Sequence, residues 1–153
     1  MQLIQFLRVL FVSYLGLLAG FFLALIAKEE MPHGKRHIYQ AQRLIFFALL
    51  IIFLVWMNLN WLWIVIICGM IAVMTGFLHL FRKTITHGII YALFGISLAL
   101  LRDTKYFAIS AALMFLYGIM TGSFFTQKKD DWKSILRNNL LFFLAGIIAW
   151  LIL

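Results

Sequence analysis

The sequence predicts an all-α polytopic membrane protein, a single domain of six transmembrane helices over residues 1–153. Three observations predict it. First, 65% of the residues are hydrophobic and only 12% are charged, with a mean hydropathy of +1.05. Soluble domains are nearer half apolar and a quarter charged, so a surplus of this size has to face lipid. Second, the apolar runs reach about 20 residues, enough to cross a hydrocarbon core of about 30 Å as helices, and they lack the alternation of barrel strands. Third, the charges fall between the runs, and mostly in every second gap.

Spans are expected at residues 3–27, 40–57, 61–81, 86–101, 106–125 and 135–153. The first run ends at Lys28-Glu29-Glu30. It is too long for the apolar region of a signal peptide and is followed by no cleavage site, so it is read as a span. The loop after it carries the one proline, Pro32, and with Gly34 this predicts a turn. The second span ends at the uncharged stretch around Asn58 and Asn60, and the third contains the one cysteine, Cys68, read as a buried thiol. The fourth is the shortest. Between the fifth and sixth, residues 127–139 predict a short interfacial helix. Asp130 or Asp131 caps it, Trp132 sits at headgroup level, and Lys133 and Arg137 share a face.

The basic residues set the orientation. Ten of the thirteen flank the first, third and fifth loops: Lys28, Lys35, Arg36, Arg43, Arg82, Lys83, Lys128, Lys129, Lys133 and Arg137. Only Arg8, Arg102 and Lys105 belong to the other side. The positive-inside rule places the odd-numbered loops in the cytoplasm and both termini outside, in the plasma membrane of a prokaryote. Trp56, Trp61, Trp63 and Trp150 then form an outer aromatic belt.

Three small-residue pairs recur at a spacing of four: Gly16 and Gly20, Ala72 and Gly76, Gly118 and Gly122. Each is followed by a basic loop residue, Lys28, Arg82 or Lys128, so the chain reads as three related helical hairpins. Such faces let membrane helices approach closely.

Between the two interfacial zones there is no Asp, Glu, Lys or Arg of the kind that proton relays and ion-coupled carriers place at mid-membrane, Arg8 being close enough to the outer end to snorkel. Ser97, Ser110, Tyr117 and Thr121 could line a passive path, although hydroxyls more often bond back to their own helix. All four histidines fall on the cytoplasmic side. His33, His37, His79 and His87, with Glu29 and Glu30, are the residue types that hold a divalent metal such as zinc or iron. Arg36, Arg82, Lys83, Lys128 and Lys129 are placed to contact anionic membrane lipids. The net charge of +8 is better matched to lipid than to nucleic acid, since no large basic surface is available to track a phosphate backbone.

Two functions compete. One is a non-enzymatic transport or permeation unit, or a subunit of a larger membrane complex, homo-oligomeric or joined to a partner membrane subunit and needing no cofactor. The other is a small membrane enzyme acting on a lipid or isoprenoid at the cytoplasmic interface through the His/Glu cluster, with or without a divalent metal.

Overall fold

A computed structural model describes residues 2–27, 31–58, 69, 87–125 and 140–152. Five helices are seen among them and no strand: α1 Leu3–Ile26, α2 Met31–Trp56, α3 His87–Leu100, α4 Phe107–Phe125 and α5 Leu141–Ile152. Two helical segments are long and apolar enough to cross a membrane, Leu3–Ile26 and Arg36–Trp56. Ile90–Leu100, Phe107–Ser123 and Leu141–Ile152 are shorter apolar helices. The expected span at 61–81 and the expected interfacial helix at 127–139 lie outside the described residues, Gly69 apart.

The turn expected at Pro32-Gly34 is instead helix, because α2 begins at Met31 rather than near residue 40. Proline costs a helix one internal hydrogen bond and a clash with the carbonyl four residues back, but neither partner exists in the first turn, where Pro32 sits. A single glycine is tolerated behind it, for roughly 1 kcal/mol against alanine. At its other end α2 stops at Asn58, whose φ of 55° is the left-handed conformation that commonly closes helices. Its N–H donates to the Val55 carbonyl at 3.0 Å. The α3–α4 connection is equally compact. Thr104 Oγ1 donates to the Leu101 carbonyl at 2.8 Å and accepts from the Tyr106 N–H at 3.2 Å.

Cross-helix contacts fix the helix directions. Gly16 lies against Phe115 and Gly20 against Ile119, so α1 and α4 run parallel. Phe6 meets Trp150 at 6.5 Å and Tyr14 meets Phe142 at 5.9 Å, so α5 runs against α1. Tyr91 meets Phe142 at 6.0 Å and Arg102, just past α3, donates to the Trp150 carbonyl at 3.0 Å, so α3 and α5 are parallel. Gln42 bonds Thr121, while one turn further along α2 Phe46 reaches Phe94 at 6.1 Å and, through it, the Tyr117 level of α4. Thus α2 runs with α3 and against α4.

The tightest seams are made by glycine. A Cβ on Gly16, Gly20 or Gly122 would fall on a backbone carbonyl oxygen of the facing helix, that of Phe115, Ile119 or Leu17 respectively, and one on Gly118 would come within 2.9 Å of the Leu17 nitrogen. The four expected packing glycines outside the third span therefore belong to one α1–α4 interface. Ala72 and Gly76 lie outside the described residues. A second seam, not anticipated, joins α3 to α5. A Cβ on Gly95 would fall on the Phe142 carbonyl oxygen and within 3.1 Å of the Gly146 nitrogen. Between the seams the core is aromatic. Phe6, Tyr14, Tyr91, Phe94, Tyr117 and Phe142 are all buried, as are Leu10, Leu17, Leu98 and Met114.

Candidate functional site

Of the buried polar side chains, Ser13 on α1 and Ser110 near the start of α4 lie elsewhere, whereas Gln42 and Thr121 meet near the N-terminal part of α2. There the stretch Tyr39-Gln40-Ala41-Gln42-Arg43 enters the bundle, and the 3.6-residue period turns Gln42 inward and leaves Arg43 exposed. Gln42 is 7% exposed and its Nε2 donates to Thr121 Oγ1 at 2.9 Å. Thr121, fully buried, in turn donates to the Tyr117 carbonyl on its own helix at 2.9 Å. A buried amide is costly unless bonded, and this chain of two bonds lets it lie between α2 and α4. On α3 Tyr91 is 1% exposed, its ring 5.9 Å from that of Tyr117.

Beside Gln42 is a cavity of about 160 Å³, open on one side and lined by Tyr39, Gln42, Arg43, Phe46, Phe47, Ile90 and Tyr117. Arg43 stands at its edge with its guanidinium 4.5 Å from the centre of the Tyr39 ring, donating to the Tyr39 hydroxyl at 3.3 Å. Among the described residues no acid pairs with this cation. Asp103 is the one acidic residue among those described, and it sits at the other end of the bundle, paired with Arg102 at 3.1 Å. A larger cavity of about 570 Å³ lies between α1 and α4, lined by Arg8, Val9, Val12, Ser13, Ala111, Ala112, Phe115 and Leu116. Apart from Arg8 and Ser13 it is apolar, and Ser13 Oγ is already engaged with the Ala111 carbonyl at 3.3 Å.

Of the expected path-lining residues, Ser110, Tyr117 and Thr121 are buried on α4 and Ser97 lies on α3. Ser97 bonds back to the Leu93 carbonyl at 2.8 Å and Thr121 to that of Tyr117, while Ser110 is buried with its hydroxyl unpartnered. Of the expected metal ligands, His33 and His37 fall four positions apart in α2, where a turn was expected. His37 is exposed, and His87 opens α3 at the same end of the bundle. Glu29, Glu30 and His79 lie outside the described residues, as do Arg82, Lys83, Lys128 and Lys129. Arg36 is exposed on α2. Among the described residues no three His, Cys, Asp or Glu side chains come together.

Gln42, Tyr39 and Tyr91 were not singled out by the sequence. The available signal was a glutamine entering an apolar helix at the register of the buried face, with Ile45 and Leu49 following at three and seven residues. Compared with known proteins, the chain matches no family model, no curated protein and no solved structure.

Proposed function

We propose that the protein crosses a membrane six times and serves as a non-enzymatic subunit of a membrane assembly, either with copies of itself or with a partner. Support for the membrane comes from the outside of the bundle. Only 17% of the apolar window of α2 is buried, and Leu44, Leu151 and Ile26 are 70%, 67% and 84% exposed. A soluble protein does not leave so broad an apolar face to water. Support for six crossings comes from direction. With α2 and α3 pointing the same way, Asn58 and His87 stand at opposite ends of the bundle, as a third span at 61–81 would require. The paired glycines of α1 and α4 fit descent from repeated hairpins.

The interior carries the choice of subunit over a pore within one chain. Where a permeation path would need water-filled, polar walls, the rings of Tyr91, Phe94, Tyr117 and Phe142 meet one another at 4.9–6.1 Å. Light scattering in mild detergent should therefore give a protein mass above the 17.8 kDa of one chain. A monomer that conducts solute when reconstituted would overturn the reading. The enzyme reading draws on the placement of His37 in α2 and of His87 at the start of α3, at one end of the bundle, and metal analysis of the purified protein decides it.

Topology is tested separately, in a Cys68→Ser background. Asn58→Cys and Lys105→Cys should react with a membrane-impermeant thiol reagent added outside intact cells, and Gly34→Cys and Asp130→Cys only after lysis. Labelling of all four from outside would remove the alternating crossings, and the opposite pattern would invert the orientation.

A further inference from the structure

We propose that the cavity between α2, α3 and α4 binds an anionic amphiphile, with its phosphate-bearing head on Arg43 beside Gln42 and its chain leaving past Phe46 and Phe47. The proposal rests on the membrane reading above and names a ligand that reading does not supply.

The charge comes first. Arg43 offers a planar fork of five N–H donors, spends one on the Tyr39 hydroxyl, and meets no carboxylate among the described residues. That fork suits a phosphate, which it can hold through two parallel bonds. Gln42 comes next. Its amide donates to Thr121 and is set against the Tyr117 hydroxyl, so it shapes the wall of the cavity beside Arg43. The buried bond to Thr121 fixes the amide in place before any ligand arrives, which lowers the ordering cost of binding.

The rest of the wall is apolar and aromatic: Phe46, Phe47, Ile90 and the Tyr117 ring. A freely soluble anion gains nothing from such a surface, whereas an amphiphile covers it with its first methylene groups. Volume agrees. Pockets for drug-sized molecules run to about 300–1,000 Å³, and the roughly 160 Å³ here takes a phosphate ester and little more, so the remaining chain must lie outside, along the exposed apolar face of α2. Depth agrees too. The apolar part of α2 starts at Arg36, and at 1.5 Å per residue Gln42 lies roughly 9 Å further in, within reach of a lipid phosphate when Arg43 snorkels outward.

To test this, the protein purified in non-ionic detergent is titrated with phosphatidylglycerol, phosphatidylcholine or inorganic phosphate, and adducts are counted by native mass spectrometry. One phosphatidylglycerol should be retained per chain, in clear preference to phosphatidylcholine, with no retained phosphate ion. Arg43→Gln should weaken retention about tenfold and Gln42→Leu several-fold. Lys105→Gln, which alters an exposed cation at the other end of the bundle, should leave it unchanged. Arg43→Lys, keeping the charge but not the fork, should fall between and serves if Arg43→Gln does not fold. Equal retention of both lipids, equal binding of inorganic phosphate, or the same loss in Lys105→Gln would overturn the proposal. Failure of the membrane reading would look different, as a chain that stays dispersed without detergent.

Discussion

Gly20→Ala and Gly122→Ala should each destabilise the detergent-solubilised protein by about 2–3 kcal/mol, the upper part of the range for overpacked interiors. One methyl group suffices because what it meets is backbone. The added carbon would land on the carbonyl oxygen of Ile119 in the first case and of Leu17 in the second. A side chain can rotate away, but a helical carbonyl moves only if the helices separate, and separation loses the close packing that holds membrane helices together. Gly34→Ala is the internal control. Its new carbon would meet nothing nearer than Ile38 Cδ1 at 3.9 Å, so replacing a helical glycine should stabilise by about 0.5–1 kcal/mol. Thermal melting of the three variants checks the argument. Equal shifts in all of them would mean that α1 and α4 are not held face to face.

Phe142→Ala should cost about 2 kcal/mol, whereas Leu144→Ala on the same helix should be close to neutral. Phe142 is 1% exposed and packs against Tyr14, Tyr91 and Phe143 at ring distances of 5.8–6.0 Å. In soluble cores the same truncation costs about 3–5 kcal/mol, part of it from transfer out of water. That part largely vanishes where the surroundings of the separated helix are hydrocarbon, which leaves the lost ring contacts and the cavity. Leu144 is 56% exposed and has few contacts to lose. The unfolding free energy measured in detergent or bicelles should separate the two, and a Leu144 variant as damaging as the Phe142 variant would show that α5 is rotated from the placement described.

Helix class and approximate positions were legible because they depend on quantities local to the sequence, the length of an apolar run and its composition. Boundaries at Ile26, Trp56 and Leu100 lie within a residue of the ends of their runs for that reason. The start of α2 was not legible. Polar residues at 33–43 read as a loop by composition, yet a helix leaving a bilayer can continue into water, and proline in a first turn does not forbid it. Small residues at Gly16, Gly20, Gly118 and Gly122 announced close packing but not the partner, since the pairing of α1 with α4 is a property of the assembled bundle. Gly95 and Gly146 carried a fainter form of the same signal, Gly95 through Ala99 four residues on. The polar pocket was the least legible part. Its geometry needs Gln42, Thr121 and Tyr117 from two helices 79 residues apart in the Gln42–Thr121 bond, and nothing in a single helix reveals that meeting.

The α1–α4 seam also sets a timetable for biosynthesis. Ser13 and the Ala111 carbonyl it bonds are 98 residues apart. At about 5–20 residues per second, α1 waits roughly 5–20 s after leaving the ribosome before its mate exists. Neither α2 nor α3 substitutes in the finished bundle, because both run in the direction opposite to α4. During that interval the face holding Gly16 and Gly20 is open to whatever helix diffuses past in the bilayer, including the same helix of another nascent chain. A ribosome stalled before residue 107 would strand α1 in that state, making it the segment by which membrane quality control could recognise an unfinished copy.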